Sequence, residues 1–262
     1  LKADVESSSR CSQNGPISVL DPVVETATRN LPTELMGPID VDRIVVFIDP
    51  LDGTNEYVAG ELEAVTVLLG VSVDGRPVAG VIHQPFFGYS KDGQDSDDLG
   101  RTVWGGAGIG VHGNIQLREA PSSPPMLLCS QRNLRDERQQ PCVKALGAEA
   151  VCRISASGYH WLRILQGDAH CTLMLRRASK KWDSCAGEAL LLAAGGGLTD
   201  TVGRLYSYTA DPAAVQNSGG MIGFRDFARG QRITCMVRDV VAALGEFPYD
   251  VRDPSVIPSS EI

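Results

Sequence analysis

The sequence predicts an α/β protein in two unlike halves, an α+β half followed by an α/β half. Three observations carry this. Two strand-like runs, 65–73 and 77–82, face each other across Asp74-Gly75, a dipeptide suited to a turn with positive φ at both central positions. Beyond Pro121-Ser122-Ser123-Pro124-Pro125, strand and helix patterns alternate. The chain has 262 residues, a length that fits one large domain or two halves of ordinary size. The expected division is 1–120 and 121–262.

Along the chain, residues 1–40 are polar and punctuated by proline, and read as loop with one short helix near 22–30. Residues 43–48 do not alternate, which predicts a strand buried on both faces. KDGQDSDDL at 91–99 is an acidic loop without the ligand spacing of an EF-hand. In the second half, strands are expected at 126–129, 150–154, 169–175 and 217–223. Helices are expected at 136–146, 157–166, 184–194 and 226–244, the third stopped by Gly195-Gly196-Gly197. The tail from Glu246 carries prolines and reads as extended. The apolar positions Phe227, Ile233, Met236, Val240 and Leu244 mark one packed helix face.

Composition narrows the function classes. Hydrophobic residues make up 43% and charged residues 21%, as in globular proteins. No apolar run is long enough to span a bilayer, and LKADVESSSR is not a secretory leader, so no membrane partner is expected. The seven cysteines form no Cys-x-x-Cys, which points to a reducing, cytoplasmic compartment. A net charge of −8 argues against a nucleic-acid polymer but leaves room for a small phosphorylated substrate held through cations.

Gly108-Ile109-Gly110-Val111-His112-Gly113 matches the dinucleotide pattern G-x-G-x-x-G. That motif needs a helix after its glycines to receive the pyrophosphate. Here Asn114-Ile115-Gln116-Leu117-Arg118 alternates like a strand, so the glycines read as bends and close backbone approach within a sheet.

The chemistry concentrates in DPLDGTNEY, 49–57. Carboxylates at the end of a buried strand are costly unless paired or bound to metal, and Asp49 and Asp52 cannot both ionise comfortably without a cation between them. Pro50 stiffens the bend, so the two side chains can converge from its opposite sides. The Leu51 carbonyl offers a third oxygen, the Gly53 amide is open to an anion, and Thr54 adds a hydroxyl. Oxygen ligands without histidine suit Mg²⁺. The plain alternative is an Asx-turn with capping carboxylates. A second element, KKWDSCAGEA at 180–189, opens an apolar helix with Asp183 expected at its N-cap. The small residues Ser184, Cys185, Ala186 and Gly187 would let its start approach another element closely.

DPLDGT together with WDSCAG resembles the paired signatures of the lithium-sensitive, magnesium-dependent phosphatase superfamily that includes inositol monophosphatase. DPLDGTNEY, GVIHQPFF, GRTVWGGAGIG and KKWDSCAGEALLLAAGGGLTD resemble its 3′(2′),5′-bisphosphate nucleotidase branch, and the likeness runs from about residue 43 to about 240. The resemblance implies a layered αβαβα sandwich lacking the family's N-terminal helices. It implies two or three Mg²⁺ ions on Asp49, Asp52, Asp183 and the Leu51 carbonyl. Asp49 and Thr54 would be catalytic, with Thr54 helping to orient and deprotonate the attacking water. Gly53, Thr54, Ser130, Gln131, Ala156, Gly158 and His160 would contact substrate. The helix starting near Ser157-Gly158 would aim its amides at a second phosphate. The implied reaction is hydrolysis of 3′-phosphoadenosine 5′-phosphate to AMP and phosphate.

The chain departs from that pattern in two places. No Gly-Glu-Glu precedes DPLDGT, and Glu6, Glu25 and Glu34 lack that motif's context. The expectation is a chain beginning just after the motif, with weak metal binding and slow or no turnover as given. In the nucleotide pocket, Ser155-Ala156-Ser157-Gly158-Tyr159-His160 stands where relatives have Gly-Gly-Ala-Gly and a lysine. His160 is then either a phosphate contact or a structural histidine. Arg176, Lys180 and Lys181 could replace the missing charge. Ser130-Gln131-Arg132-Asn133 only loosely matches the relatives' Ser/Thr-Arg-Ser-His. His83, His112, His170, Trp104 and Trp161 read as structural. An inositol phosphate 1-phosphatase, and an inactive ligand-binding relative, stay open as alternatives.

Overall fold

A computed structural model describes residues 37–90, 99–120, 126–129, 137–148, 150–152, 154–176, 179–244 and 256–257. The expectations at 1–36, at 91–98, at the 121–125 boundary and at Ser130 and Gln131 lie outside these residues. Two five-stranded sheets organise the rest.

The first sheet is antiparallel throughout and runs in chain order: β1 (Ile44–Asp52), β2 (Thr66–Val73), β3 (Arg76–Gln84), β4 (Arg101–Gly106) and β5 (Gly110–Gly113). Asp74 and Gly75 take φ of 50° and 76°, the positive pair that the two-residue turn between β2 and β3 needs. The glycine run covers the turn at 107–109 and β5. Gly108 and Gly110 take φ of 77° and 76° at the turn into β5, and a Cβ on Gly113 would stand 2.0 Å from the Thr102 carbonyl, so the glycines serve a bend and close strand approach, and no helix follows them. The strand expected at 114–118 does not form.

β1 corrects a further expectation. It is an edge strand, not one buried on both faces: Phe47 and Asp52 are buried, whereas Val46 and Ile48 are half exposed. A short helix the sequence reading missed, α1 (Thr54–Ala59), follows directly.

The second sheet has the order β7-β6-β8-β11-β9, from β6 (Met126–Leu128), β7 (Ala150–Cys152), β8 (Cys171–Met174), β9 (Gly197–Thr199) and β11 (Met221–Phe224). β6 pairs parallel with β7 and β8, and β11 pairs antiparallel with β8 and β9. A two-stranded ribbon joins β10 (Leu205–Tyr206) to β12 (Val256–Ile257). The helices are α2 (Gln139–Ala145), α3 (Ser157–Leu165), α4 (Lys181–Ala193) and α5 (Phe227–Ala243).

The layers read sheet, helices, sheet, helices. α4 lies across the first sheet and packs on α3 between the sheets, while α2 and α5 cover the far face of the second sheet. One core, with Leu68, Ile82, Trp161, Leu162 and Leu190, fills the inner space. Another, with Leu127, Leu173, Phe224 and Val237, lies under α5. No helix among the described residues is long and apolar enough to cross a membrane.

The small residues of WDSCAG explain how α4 seats. A Cβ on Gly70 would meet the Ala186 amide at 2.6 Å, and one on Gly80 the Ala186 carbonyl at 2.4 Å. On its other side a Cβ on Gly187 would stand 2.3 Å from the Trp161 ring. Backbone therefore meets backbone across β2, β3 and α4, and the helix start is driven down onto the end of β1.

Candidate metal centre

The register of β1 on β2 explains how Asp49 and Asp52 come together. Residues three apart on a regular strand point to opposite faces. Here Asp49 opposes Leu68 and Asp52 opposes Thr66, so three steps on β1 match two on β2. The extra residue is a bulge at Pro50-Leu51, where proline has no ladder donor to lose. The bulge restores the parity, and both carboxylates reach the same side. Convergence thus comes from a strand irregularity rather than from opposite sides of a bend.

Asp183 arrives from α4, but not as its N-cap. The helix begins at Lys181 with Lys180 as N-cap, and Asp183 is its third residue. Its carboxylate reaches back to accept from the Lys180 amide at 2.6 Å. One carboxylate oxygen each from Asp49, Asp52 and Asp183 lies within 4.8 Å of the others. Like charges so close, with Asp52 buried and the other two half-buried, call for a cation, and three hard oxygen donors without nitrogen or sulfur fit Mg²⁺ by donor type.

The environment of each acid differs. Asp52 is buried, and burial pushes its pKa up to about 6 against the lowering effect of donors from Gly158, Thr66 and Ser157. Burial also raises Asp183, and the facing Asp52 and Asp49 add to the rise. Asp49 is half-buried and accepts from the Leu51 amide at 3.0 Å, so the Asx-turn is present as well as the cluster. The Thr54 hydroxyl donates to the Leu51 carbonyl at 3.1 Å. That bond turns the Thr54 oxygen lone pairs outward and occupies one lone pair of the Leu51 carbonyl, leaving the other open.

A cleft of about 390 Å³ surrounds these groups, lined also by Gly53, Glu56, Ser155, Ser157 and Arg176. Of the basic residues raised from sequence, Arg176 alone lines it. The Lys180 ammonium donates to Gln216 at 2.9 Å. Lys181 is buried, its ammonium over the Tyr206 and Tyr208 rings at 3.9 and 5.4 Å.

Three expected substrate contacts sit elsewhere. His160 is fully buried, its ring nitrogens 2.9 Å from the Thr172 hydroxyl and 2.8 Å from the Ile154 carbonyl, and burial lowers its pKa to about 4. It is a neutral core histidine, out of reach of a phosphate. Gly158 is packed so tightly that a Cβ would lie 2.2 Å from the Thr66 hydroxyl oxygen. Ala156 is buried beside Gly53. The first amides of α3 do not face an anion from solvent, because Ser157 and Gly158 donate to Asp52 at 3.2 and 2.7 Å. The protein's own carboxylate fills the place expected for a phosphate.

His83 and His112 bind Thr102 and the Ile109 carbonyl, and Trp161 donates to the Asp183 carbonyl at 2.9 Å, all structural. Sequence reading missed Glu56. It is 6% exposed and lines the cleft. Its Oε1 accepts from the Ser155 amide at 2.8 Å, while its buried Oε2 has no partner among the described residues. A carboxylate inside a strongly acidic motif was the signal available.

Comparison with known proteins matches residues 29–241 to the inositol monophosphatase family. The human 3′(2′),5′-bisphosphate nucleotidase 1 is 37% identical over 189 residues, 72% of this chain and 60% of that protein. Inositol monophosphatase 3 of Xenopus laevis is 32% identical over 71% of this chain and half of its own length. The chain spans about 60% of the length of the bisphosphate nucleotidases it matches. Among solved structures, inositol monophosphatase from Anabaena (Nostoc) sp. PCC 7120 aligns with TM-score 0.55 at 23% identity, covering 75% of each chain. 2′AMP-bound SaIMPase-II aligns with TM-score 0.59 at 16% identity, covering 79% of this chain and 75% of its own. These structural likenesses speak to the fold.

Proposed function

The chain belongs to the inositol monophosphatase family, and on that premise we propose that it carries the metal centre of a Mg²⁺-dependent phosphomonoesterase. The observation that carries this reading is the meeting of Asp49, Asp52 and Asp183 within 4.8 Å, two from a bulged strand end and one from a helix start. Mg²⁺ bound there would lower the pKa of a water, neutralise phosphoryl oxygens and steady the leaving alkoxide.

The residues do the rest. Asp49, Asp52, Asp183 and the open lone pair of the Leu51 carbonyl would hold the ions. Thr54, its proton committed to Leu51, accepts from the attacking water and orients it for in-line displacement. The phosphoryl group rests against the amides of Gly53 and Thr54, which α1 leaves without intrahelical partners. Arg176 supplies positive charge at the rim.

For substrate, a 3′-phosphorylated nucleoside 5′-phosphate is the better-supported choice, because relatives of that name are 35–37% identical and the inositol monophosphatases 30–32%. Phosphate release from 3′-phosphoadenosine 5′-phosphate and from inositol 1-phosphate, each with Mg²⁺, tests both levels. Turnover of the nucleotide in preference to the inositol ester is expected. The reverse preference would replace the substrate, and no release from either would remove the hydrolase reading.

A further inference from the structure

Two carboxylates four residues apart, Asp52 at the end of β1 and Glu56 in the first turn of α1, reach across the cleft to one short segment of the second half. Glu56 accepts from the Ser155 amide at 2.8 Å. Asp52 accepts from Ser157 through Oδ1 at 3.2 Å and from Gly158 through Oδ2 at 2.7 Å, and Oδ2 also takes the Thr66 hydroxyl at 2.8 Å. Asp52 Oδ2 is thereby saturated, and Oδ1 keeps the lone pair available to a cation. Which oxygen stays open depends on where the 155–158 backbone lies. Asp52 holds that backbone at its C-terminal end, and Glu56 holds it at the other.

We infer that Glu56 is a positioning residue for the metal centre: by fixing the Ser155 amide it keeps the Ser155–Gly158 backbone against Asp52, so that Asp52 presents Oδ1 alone to the ion. The inference rests on the metal-site reading above. Glu56 is not arranged for stability alone, since its buried Oε2 has no partner among the described residues, and such an orphan costs folding free energy. Groups that orient metal ligands in this way govern affinity without touching the ion.

The test is Mg²⁺ binding to the protein by calorimetry, with Mn²⁺ as a paramagnetic probe, for wild type, Glu56→Ala and Glu56→Gln. Glu56→Ala is expected to weaken binding about 10- to 100-fold. Glu56→Gln keeps an acceptor for Ser155 and is expected to recover most of the affinity. Val241→Ala, on the buried face of α5 in the other core, serves as a reference that lowers the melting temperature by loss of packing. A purely structural Glu56 would behave like that reference, with a lowered melting temperature and unchanged affinity in the folded protein. Equal affinity in wild type and Glu56→Ala would therefore overturn this inference while leaving the metal centre standing. Absence of binding in wild type would overturn the metal reading itself.

Discussion

Helix α4 carries two carboxylates five residues apart that have been treated in opposite ways. Glu188 is fully buried, accepts from Tyr208 at 2.6 Å and pairs with Arg76 at 3.3 Å. Burial raises its pKa to about 7, and the Arg76 charge and the Tyr208 donor work against that rise. Asp183, raised by burial too, faces Asp49 and Asp52 instead of a cation. Glu188, in the middle of the helix, has its counter-charge built into the chain, whereas at Asp183 the proposed ion would have to bring it from solution. A buried acid with protein partners is part of the framework, whereas buried acids facing one another are a site.

Substitutions should separate the two acids. Asp183→Asn is expected to cut Mg²⁺-dependent turnover by ~10³-fold or more, on the order of 4 kcal/mol of barrier. The same change should leave the metal-free melting temperature level or higher, because it removes a repulsion. Glu188→Ala should do the opposite, costing about 3 kcal/mol in denaturant unfolding by stranding Arg76 and Tyr208. Its effect on Mg²⁺ affinity in the folded protein should be slight. If Asp183→Asn destabilised and Glu188→Ala did not, the contrast between the two acids would be inverted.

Gly187→Ala sharpens the contrast from the packing side. Its new methyl meets the Trp161 ring, and the expected cost is about 2 kcal/mol of stability with weakened metal binding, as α4 shifts off the sheet. Loss of stability without loss of affinity would show that the seating of α4 does not set the site.

The pH dependence follows with its sign. Asp52 has a folded pKa of about 6 against 3.8 ordinarily, so without metal its contribution to stability is present below about pH 4 and is lost as pH rises through 6. Glu188 has the same sign, lost as pH rises through about 7. The proposed Mg²⁺ would compete with the protons on Asp183 and Asp52 and not with that on Glu188. Its half-saturating concentration should begin to rise as pH falls through about 7 and climb more steeply below 6, by more than about tenfold per pH unit once both acids are protonated. The gain in melting temperature on adding Mg²⁺ should be large near pH 7.5 and absent near pH 5. A gain independent of pH would mean that the ion binds elsewhere.

The legible parts of the molecule were the local ones. Asp74-Gly75 dictates its own turn, and the helix from 157 and the strand at 171–174 follow from short patterns. DPLDGT and WDSCAG announced three oxygen donors, and the fold brings them together. What stayed hidden depends on distant partners. The bulge that turns Asp49 and Asp52 to one face exists only in the pairing with β2. His160 was ambiguous because Thr172 and Ile154, which bury it, are set by the second sheet. Glu56 sat inside the motif, yet its partner Ser155 lies 99 residues on. β1 looked doubly buried because its apolar run carries no information about which edge of the sheet it takes.

The most direct test is a crystal soaked in Mn²⁺ and measured at the metal's absorption edge. Sharing of a divalent ion by the bulged strand and the head of α4 predicts an anomalous peak at bonding distance, about 2 Å, from Asp52 Oδ1 and from an oxygen of Asp49 and of Asp183. A peak bound elsewhere, with those three side chains bridged by water or hydrogen bonds alone, would contradict it.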